Sequence, residues 1–245
     1  GVDAVPQLTL SSHEAGAGHR PHCVLLDFEY AGNRLPALPQ TTQATLREGE
    51  GWLRVSRNLD QERAARQRLV DLGFTDTTNA HRGPLILMPL GDNNRLESAA
   101  RWAEFIEVDI DRLRSDGWRI EIDDNFQLQF EQGDWEASID EGDGGNDWFS
   151  LRFDLTLGEE RLPLAPLLAP LLEMDIESLP ATITLPAGGH RYIRLPAERI
   201  LPYLTTLREL FNRAPADGDG LLRVSRFDAV TVDNLAAQGA SLRGA

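Results

Sequence analysis

The sequence predicts a strand-rich α+β fold, and three observations carry that expectation. Phe149 to Leu157 places Phe, Leu, Phe, Leu and Leu on odd positions with Ser, Arg, Asp and Thr between them, the period of a half-buried strand. Similar alternation runs through Trp118–Ile122, Phe126–Phe130 and Trp135–Ile139, with turn-forming residues at Asp123-Asp124-Asn125, Glu131 to Asp134 and Asp140 to Asp147. Together these predict an antiparallel meander over about residues 118–157, one face on a core and the other in water. Between Arg95 and Asp116, in contrast, Ala99, Trp102, Ala103, Ile106, Ile110 and Leu113 recur at spacings of three and four. That predicts a long amphipathic helix over about residues 95–116, packed with the meander and stopped by Gly117.

The remaining elements follow in order. Val5 to Leu10 is a short extended piece, followed by a polar loop rich in Gly, His and Ser. Cys23 to Tyr30 is a strand that ends at the turn signal Ala31-Gly32-Asn33. Trp52 to Arg57 is a further strand, and Asp60 is placed to cap a helix from Gln61 to Leu72 that Gly73 ends in a left-handed conformation. Leu85 to Met88, between Pro84 and Pro89, is a short buried strand. Leu162 to Leu172 is apolar, but Pro163, Pro166 and Pro170 argue against a regular helix there. Ala181 to Leu185 and Arg191 to Leu195 form a strand pair across Pro186 to Gly189. A C-terminal helix over about residues 202–212 follows from Leu204, Leu207, Leu210 and Phe211, with Pro202 near its first turn. The domain reading is an N-terminal lobe over 1–84, a main domain over 85–235 and a linker over 236–245 toward a downstream domain.

Composition removes several chemistries. All 24 basic residues are arginine, so no lysine exists for a phosphate-binding P-loop, a Schiff base or a lysine-dependent nuclease site. A net charge of −15 opposes a large surface that tracks phosphates, though a local arginine patch remains compatible with it. The lone Cys23 excludes an internal disulfide and fits a reducing cytoplasm. No apolar run approaches the length of a membrane span and no leader pattern opens the chain. The absence of an initial Met points to a segment of a longer protein, or a processed one.

Each candidate site has a competing plain reading. Asp109-Ile110-Asp111 has the Asp-x-Asp form of metal-dependent glycosyltransferases, but on a helix residues two apart diverge, so a solvated face is expected. Asp140 to Asp147 is rich in oxygen ligands for calcium, yet Leu151 stands where an EF-hand needs its last Glu, which favours a solvated hairpin tip. Glu121, Asp123 and Asp124 could pair as carboxylates and more simply cap a turn. His13, His19, His22 and Cys23 crowd one loop without regular zinc spacing, His81 and His190 stand apart, and Cys23 opens an apolar strand as a buried, inert thiol. Trp135, Trp148 and Phe149 could stack on bases, although strand-face spacing makes them core residues. Finally, Gly218 to Arg226 repeats Gly49 to Arg57 almost position for position. Either two strands share similar entry turns, or Arg54, Arg57, Arg223 and Arg226 present paired cations to one anionic partner.

The runs Gly117-Trp118-Arg119-Ile120-Glu121-Ile122-Asp123-Asp124, Asn146-Asp147-Trp148-Phe149, Arg191-Tyr192-Ile193-Arg194-Leu195-Pro196 and Leu222-Arg223-Val224-Ser225-Arg226-Phe227-Asp228-Ala229, in this order, carry a likeness. The chain, most clearly over residues 85–235, resembles the region ahead of the ATPase core in bacterial Swi/Snf-family helicase-like proteins. The motor's Walker Lys and Asp-Glu-x-His box do not map onto it, a single Cys cannot build the family's zinc module, and Pro166 and Pro170 depart from the expected helical run. The resemblance implies a cytoplasmic, non-catalytic accessory domain with no cofactor of its own. It would dock on the RecA-like motor domain of the same chain or on a protein partner, with ATP and Mg bound by the motor and nucleic acid engaged through the parent protein. The alternative is a nucleic-acid contact module using Arg54, Arg57, Arg223 and Arg226. A metal-dependent enzyme built on the acidic loop or on the carboxylates at 121–124 comes third.

Overall fold

A computed structural model of the chain describes residues 3–12, 21–48, 51–89, 95–132, 134–140, 148–157, 159–163, 168, 171–172, 175–201, 204, 205, 208, 221–225 and 241–243. The chain divides into two compact units, residues 1–128 and 129–245. Both are mixtures of strands with fewer helical segments, so the fold is α+β and strand-rich as expected.

In the first unit, β1 (Val5–Ser12) pairs antiparallel with β2 (His22–Tyr30), and β2 pairs on its other side with β3 (Asn33–Pro36). A separate ribbon joins β4 (Gln43–Glu48) to β5 (Gly51–Ser56), and α1 (Leu59–Asp71) leads into β6 (Phe74–Asp76) and β7 (Leu85–Pro89). Then come α2 (Arg95–Glu104), a π-helical turn (Phe105–Asp109), α3 (Ile110–Ser115) and β8 (Arg119–Ile122). The main sheet runs β6-β7-β2-β1-β8, antiparallel except that β8 lies parallel to β1.

Strand register sorts its residues onto two faces. Leu8, Leu10, Val24, Leu26, Phe28, Leu85 and Leu87 share one face and are buried. The rest of this unit's core includes Leu69, Phe74, Trp102, Phe105 and Leu113, with Phe74 edge-on to Trp102 and Phe105 at ring distances of 5.3 and 4.8 Å. Each fully buried aromatic or aliphatic side chain of this kind contributes about 1.5–3 kcal/mol through removal from water. The opposite face carries Gln7, Thr9, Ser11, Asp27 and Glu29, which are also buried, although they are polar.

Local chemistry explains the helix ends. Asn58, not Asp60, caps α1: its side-chain oxygen accepts from the Gln61 N–H at 3.2 Å, which starts the helix two residues earlier than expected. Gly73 and Gly117 follow α1 and α3 with φ of +87° and +88°, the left-handed geometry that ends a helix. The helix expected at 95–116 is present but interrupted by the π-helical turn, which brings Phe105 and Asp109 inward while Ile106 is only half-buried.

In the second unit, β9 (Gln129–Gln132) pairs parallel with β14 (Arg191–Pro196), which pairs antiparallel with β13 (Thr182–Pro186) as the sequence suggested. A five-stranded sheet contains β10 (Asp134–Asp140), β11 (Trp148–Leu157), β12 (Glu160–Pro163), β15 (Leu221–Ser225) and β16 (Ser241–Arg243). The expected single meander over 118–157 is therefore corrected: of its four runs only those in β10 and β11 pair with each other, and β12, beyond 157, extends them. β8 and β9 instead join two other sheets as parallel partners of distant strands, with Ile120 and Phe130 half-buried and Ile122 exposed.

Two boundaries also differ from expectation. Residue 84 lies inside the first unit, since β7 pairs with β2, and the units part at 128/129. Part of the stretch expected as a linker, Ser241–Arg243, is strand β16 against β10. The C-terminal helix falls largely outside the described residues; helical backbone is seen at 197–201, 204, 205 and 208. Of the proline-bearing run at 162–172, helical backbone is described at 168, 171 and 172.

Candidate functional site

The β4–β5 ribbon separates two kinds of arginine. On a strand, successive side chains point to opposite faces. Along β5 and just beyond it, Trp52, Arg54 and Ser56 are exposed, whereas Val55 and Arg57 are buried and Leu53 is half-buried. Register places Arg47 directly across from Trp52 and Thr45 across from Arg54. One face of the ribbon thus carries Gln43, Thr45 and Arg47 beside Trp52, Arg54 and Ser56, all exposed. Trp52 is 73% exposed, the largest fraction among the exposed large hydrophobic residues described. Arg47 and Arg54 make no side-chain hydrogen bond or ion pair among the described residues.

Arg57 is held at the base of this ribbon, with its side chain only 3% exposed. Its Nε and one terminal nitrogen donate to the two Glu62 oxygens, each at 2.8 Å, and it also donates to the carbonyls of Pro39 and Ala37 at 2.9 and 3.2 Å. Tyr30 donates its hydroxyl proton to Glu62 at 2.6 Å and accepts from the Asn58 N–H at 2.8 Å. Burial, and then the Glu62 carboxylate, push the Tyr30 hydroxyl up to about 12. This cluster joins β2, the end of β5 and α1 into one bonded base, and it fixes the ribbon's root. Beside it an open groove of about 400 Å³, lined by Thr42, Ser56, Asn58, Asp60 and Arg63 among others, continues the outer face. There Asp60 and Arg63 pair with each other.

A second charge-paired cluster covers the polar face of the main sheet. Arg34 donates to Asp27 and Thr9, each at 2.9 Å, and to Glu121 at 3.2 Å. Glu29 accepts from Gln7 at 2.7 Å and from Arg119. The Asp27 oxygen not used by Arg34 is buried without a hydrogen-bond partner. A third cluster pairs Arg101 with Asp109 and, at 3.1 Å, with Glu104. Burial raises the Asp109 carboxyl above its usual range, against the pull of Arg101. Gly73 makes room for this arginine, since a Cβ there would lie 3.0 Å from Arg101 Cδ.

The sites suggested by sequence distribute as follows. Of the four arginines proposed to act together, Arg54 is exposed, Arg57 is internal, Arg223 lies on β15 opposite Ser150, and Arg226 lies outside the described residues. A paired display by Arg54 and Arg57 is corrected by strand geometry, because residues three apart face opposite ways. The two repeats also differ in use: β5 pairs with β4, and β15 with β11. Asp109 is buried and ion-paired, contrary to the expected solvated face, while Asp111 is exposed. Glu121 pairs with Arg34, and the backbone of Asp123 bonds to Leu10 and Phe126 as a turn.

Cys23 is fully buried, as expected. His22 bonds Ser12 at 2.7 Å and sits edge-on to Phe126, His81 and His190 are exposed, and His13 and His19 lie outside the described residues. Most of the acidic loop at 140–147 also lies outside them, and so do the side chains of Trp135, Trp148 and Phe149, whose backbones belong to β10 and β11. Among the described residues no group of three His, Cys, Asp or Glu is placed to hold a metal ion, and no helix is long and apolar enough to cross a membrane. Sequence reasoning missed Arg47, Trp52, Glu62 and Tyr30. The signal for Trp52 was present, because alternation from buried Val55 puts 52, 54 and 56 on one outward face. Set against protein-family models, curated proteins and solved structures, the chain matches none.

Proposed function

We propose that this chain is a non-catalytic accessory domain of a Swi/Snf-type DNA-dependent ATPase, working in the cytoplasm by attachment to a RecA-like motor or to a protein partner. The observation that supports this reading is the outer face of the β4–β5 ribbon. It presents a bare indole and two guanidinium groups without an ion-pair partner among the described residues, on a root locked by the Arg57–Glu62–Tyr30 cluster. Such a rigidly rooted, chemically unsatisfied patch is a contact surface. Aromatic and Arg side chains dominate the energetics of interfaces, since they bury large areas or fork onto acceptors. ATP and Mg belong to the motor in this reading. The test replaces Arg47, Trp52 and Arg54 together by Ala in the full-length protein and measures ATPase activity with and without DNA. The expected result is altered DNA stimulation at unchanged basal activity. Unaltered stimulation together with unaltered partner binding would refute it.

A further inference from the structure

We infer that the outer face of the β4–β5 ribbon binds single-stranded nucleic acid, with a base stacked on Trp52 and phosphates held by Arg47 and Arg54. This deepens the accessory reading by naming the chemistry of its contact surface, and it rests on that reading only for its biological setting. Directly opposed residues of an antiparallel pair lie about 4.5–5.5 Å apart and diagonal ones about 7–8 Å, so Arg47, Trp52 and Arg54 form one compact patch. Thr45, Gln43 and Ser56, the other described residues on this face, are uncharged. Within a chain of net charge −15 these two cations have no ion-pair partner among the described residues.

The chemistry of the patch selects among anionic partners. An acidic peptide would satisfy the guanidinium groups and leave the 73%-exposed indole in water. A nucleotide satisfies both, because every base has a π-face to stack and every phosphate accepts from Arg. Duplex bases are already stacked on one another and offer no free face, which favours a single strand. The patch ends at the ribbon's base, where the adjoining groove carries the Asp60–Arg63 ion pair and so offers no free cation to phosphate. The net charge predicts weak, salt-sensitive binding confined to this patch.

The experiment measures anisotropy of a fluorescein-labelled oligodeoxythymidine of about 12 nucleotides, within the usual span of single-strand sites, with the 245-residue chain at low salt. The expected result is saturable binding that Trp52→Ala weakens roughly 5- to 150-fold and Trp52→Phe largely restores. The double variant Arg47→Ala/Arg54→Ala lowers the log–log salt slope by about 1.4, the release expected for two single-strand phosphate contacts. Arg114→Ala, which removes an exposed charge on α3, leaves the slope unchanged. No binding at low salt, equal affinity for a duplex of the same length, or binding indifferent to Trp52→Ala would each overturn the inference. So would a polyglutamate peptide that competes fully with the oligonucleotide and binds the Trp52→Ala variant equally well, which would assign the patch to an acidic protein segment. The same substitutions in the full-length ATPase separate the two proposals. Altered stimulation without oligonucleotide binding preserves the accessory role and removes this ligand, and the converse preserves the ligand and removes the role.

Discussion

Arg54 and Arg57 are three residues apart in sequence and occupy opposite environments. Arg54 stands exposed beside Trp52 without an ion-pair partner among the described residues, while every nitrogen of the Arg57 guanidinium donates to Glu62, Pro39 or Ala37. The difference shows how one residue type serves two ends in one ribbon. A guanidinium taken out of water has to be matched by a carboxylate and carbonyls in fixed geometry, and so becomes part of the fold. One left in water contributes little to stability and is available to a partner.

The largest effect that could break this contrast comes from Arg57 itself. Arg57→Ala leaves the Glu62 carboxylate buried beside the Tyr30 hydroxyl with no cation, and such truncations cost about 3–5 kcal/mol. Arg54→Ala should move stability by no more than about 0.5 kcal/mol. Urea midpoints of the two variants measure this directly. Comparable losses for both would mean that the outer face is structural as well, and the functional reading of Arg54 would fall.

Tyr30 sharpens the same contrast through pH. Its folded-state pKa is raised from 10.0 to about 12, so its share of stability is complete below pH 10 and is lost as pH rises through about 12. Over that window the unmodified chain should lose roughly 2–3 kcal/mol that Tyr30→Phe does not lose. At neutral pH, Tyr30→Phe should cost about 1–3 kcal/mol, because the Asn58 N–H loses its partner and the buried Glu62 oxygen is left with Arg57 alone. Identical alkaline profiles for the two proteins would place the ribbon's root elsewhere.

Gly73 tests the internal kind of arginine at a second place. A side chain there would adopt φ +87°, at a cost of about 1–2 kcal/mol. Its Cβ would also press on Arg101 at 3.0 Å from Cδ and disturb the bond to Asp109. Gly117 has nearly the same φ, +88°, but open space around it. Gly73→Ala should therefore destabilise more than Gly117→Ala in thermal unfolding. Equal losses would show that Arg101 yields freely and that the pair with Asp109 is not a fixed part of the core.

How much of this was legible in the sequence depends on the range of the interaction. Period-two alternation revealed β2, β5, β11 and the β13–β14 pair, because facing is set by each strand's own backbone. It also held the answer for Arg54 and Arg57, since an odd separation puts two residues on opposite faces. The partners of β8 and β9 were not legible, because an edge is chosen by a strand over a hundred residues away in the case of β1 and β8. The same holds for Tyr30 and Glu62, which are 32 residues apart. Asn58 and Asp60 are both capping residues, and only the position of the first helical turn decided between them. That Arg47 has no ion-pair partner among the described residues was hidden for the same reason, since it depends on which carboxylates the fold sends elsewhere.

The smallest expected effect is the one that defines the outer face. Trp52 is the most exposed large apolar side chain described in the chain, so Trp52→Ala removes little that folding had taken out of water and should shift stability by at most about 0.5 kcal/mol. A small gain is also consistent, because an alanine on a strand surface hides nothing and exposes nothing. A loss of several kcal/mol would show that the indole is covered in solution, and the patch formed with Arg47 and Arg54 would then be a packed surface. A neutral result leaves a bare aromatic beside two cations that have no ion-pair partner among the described residues, with no role in holding the fold, as the proposed contact surface requires.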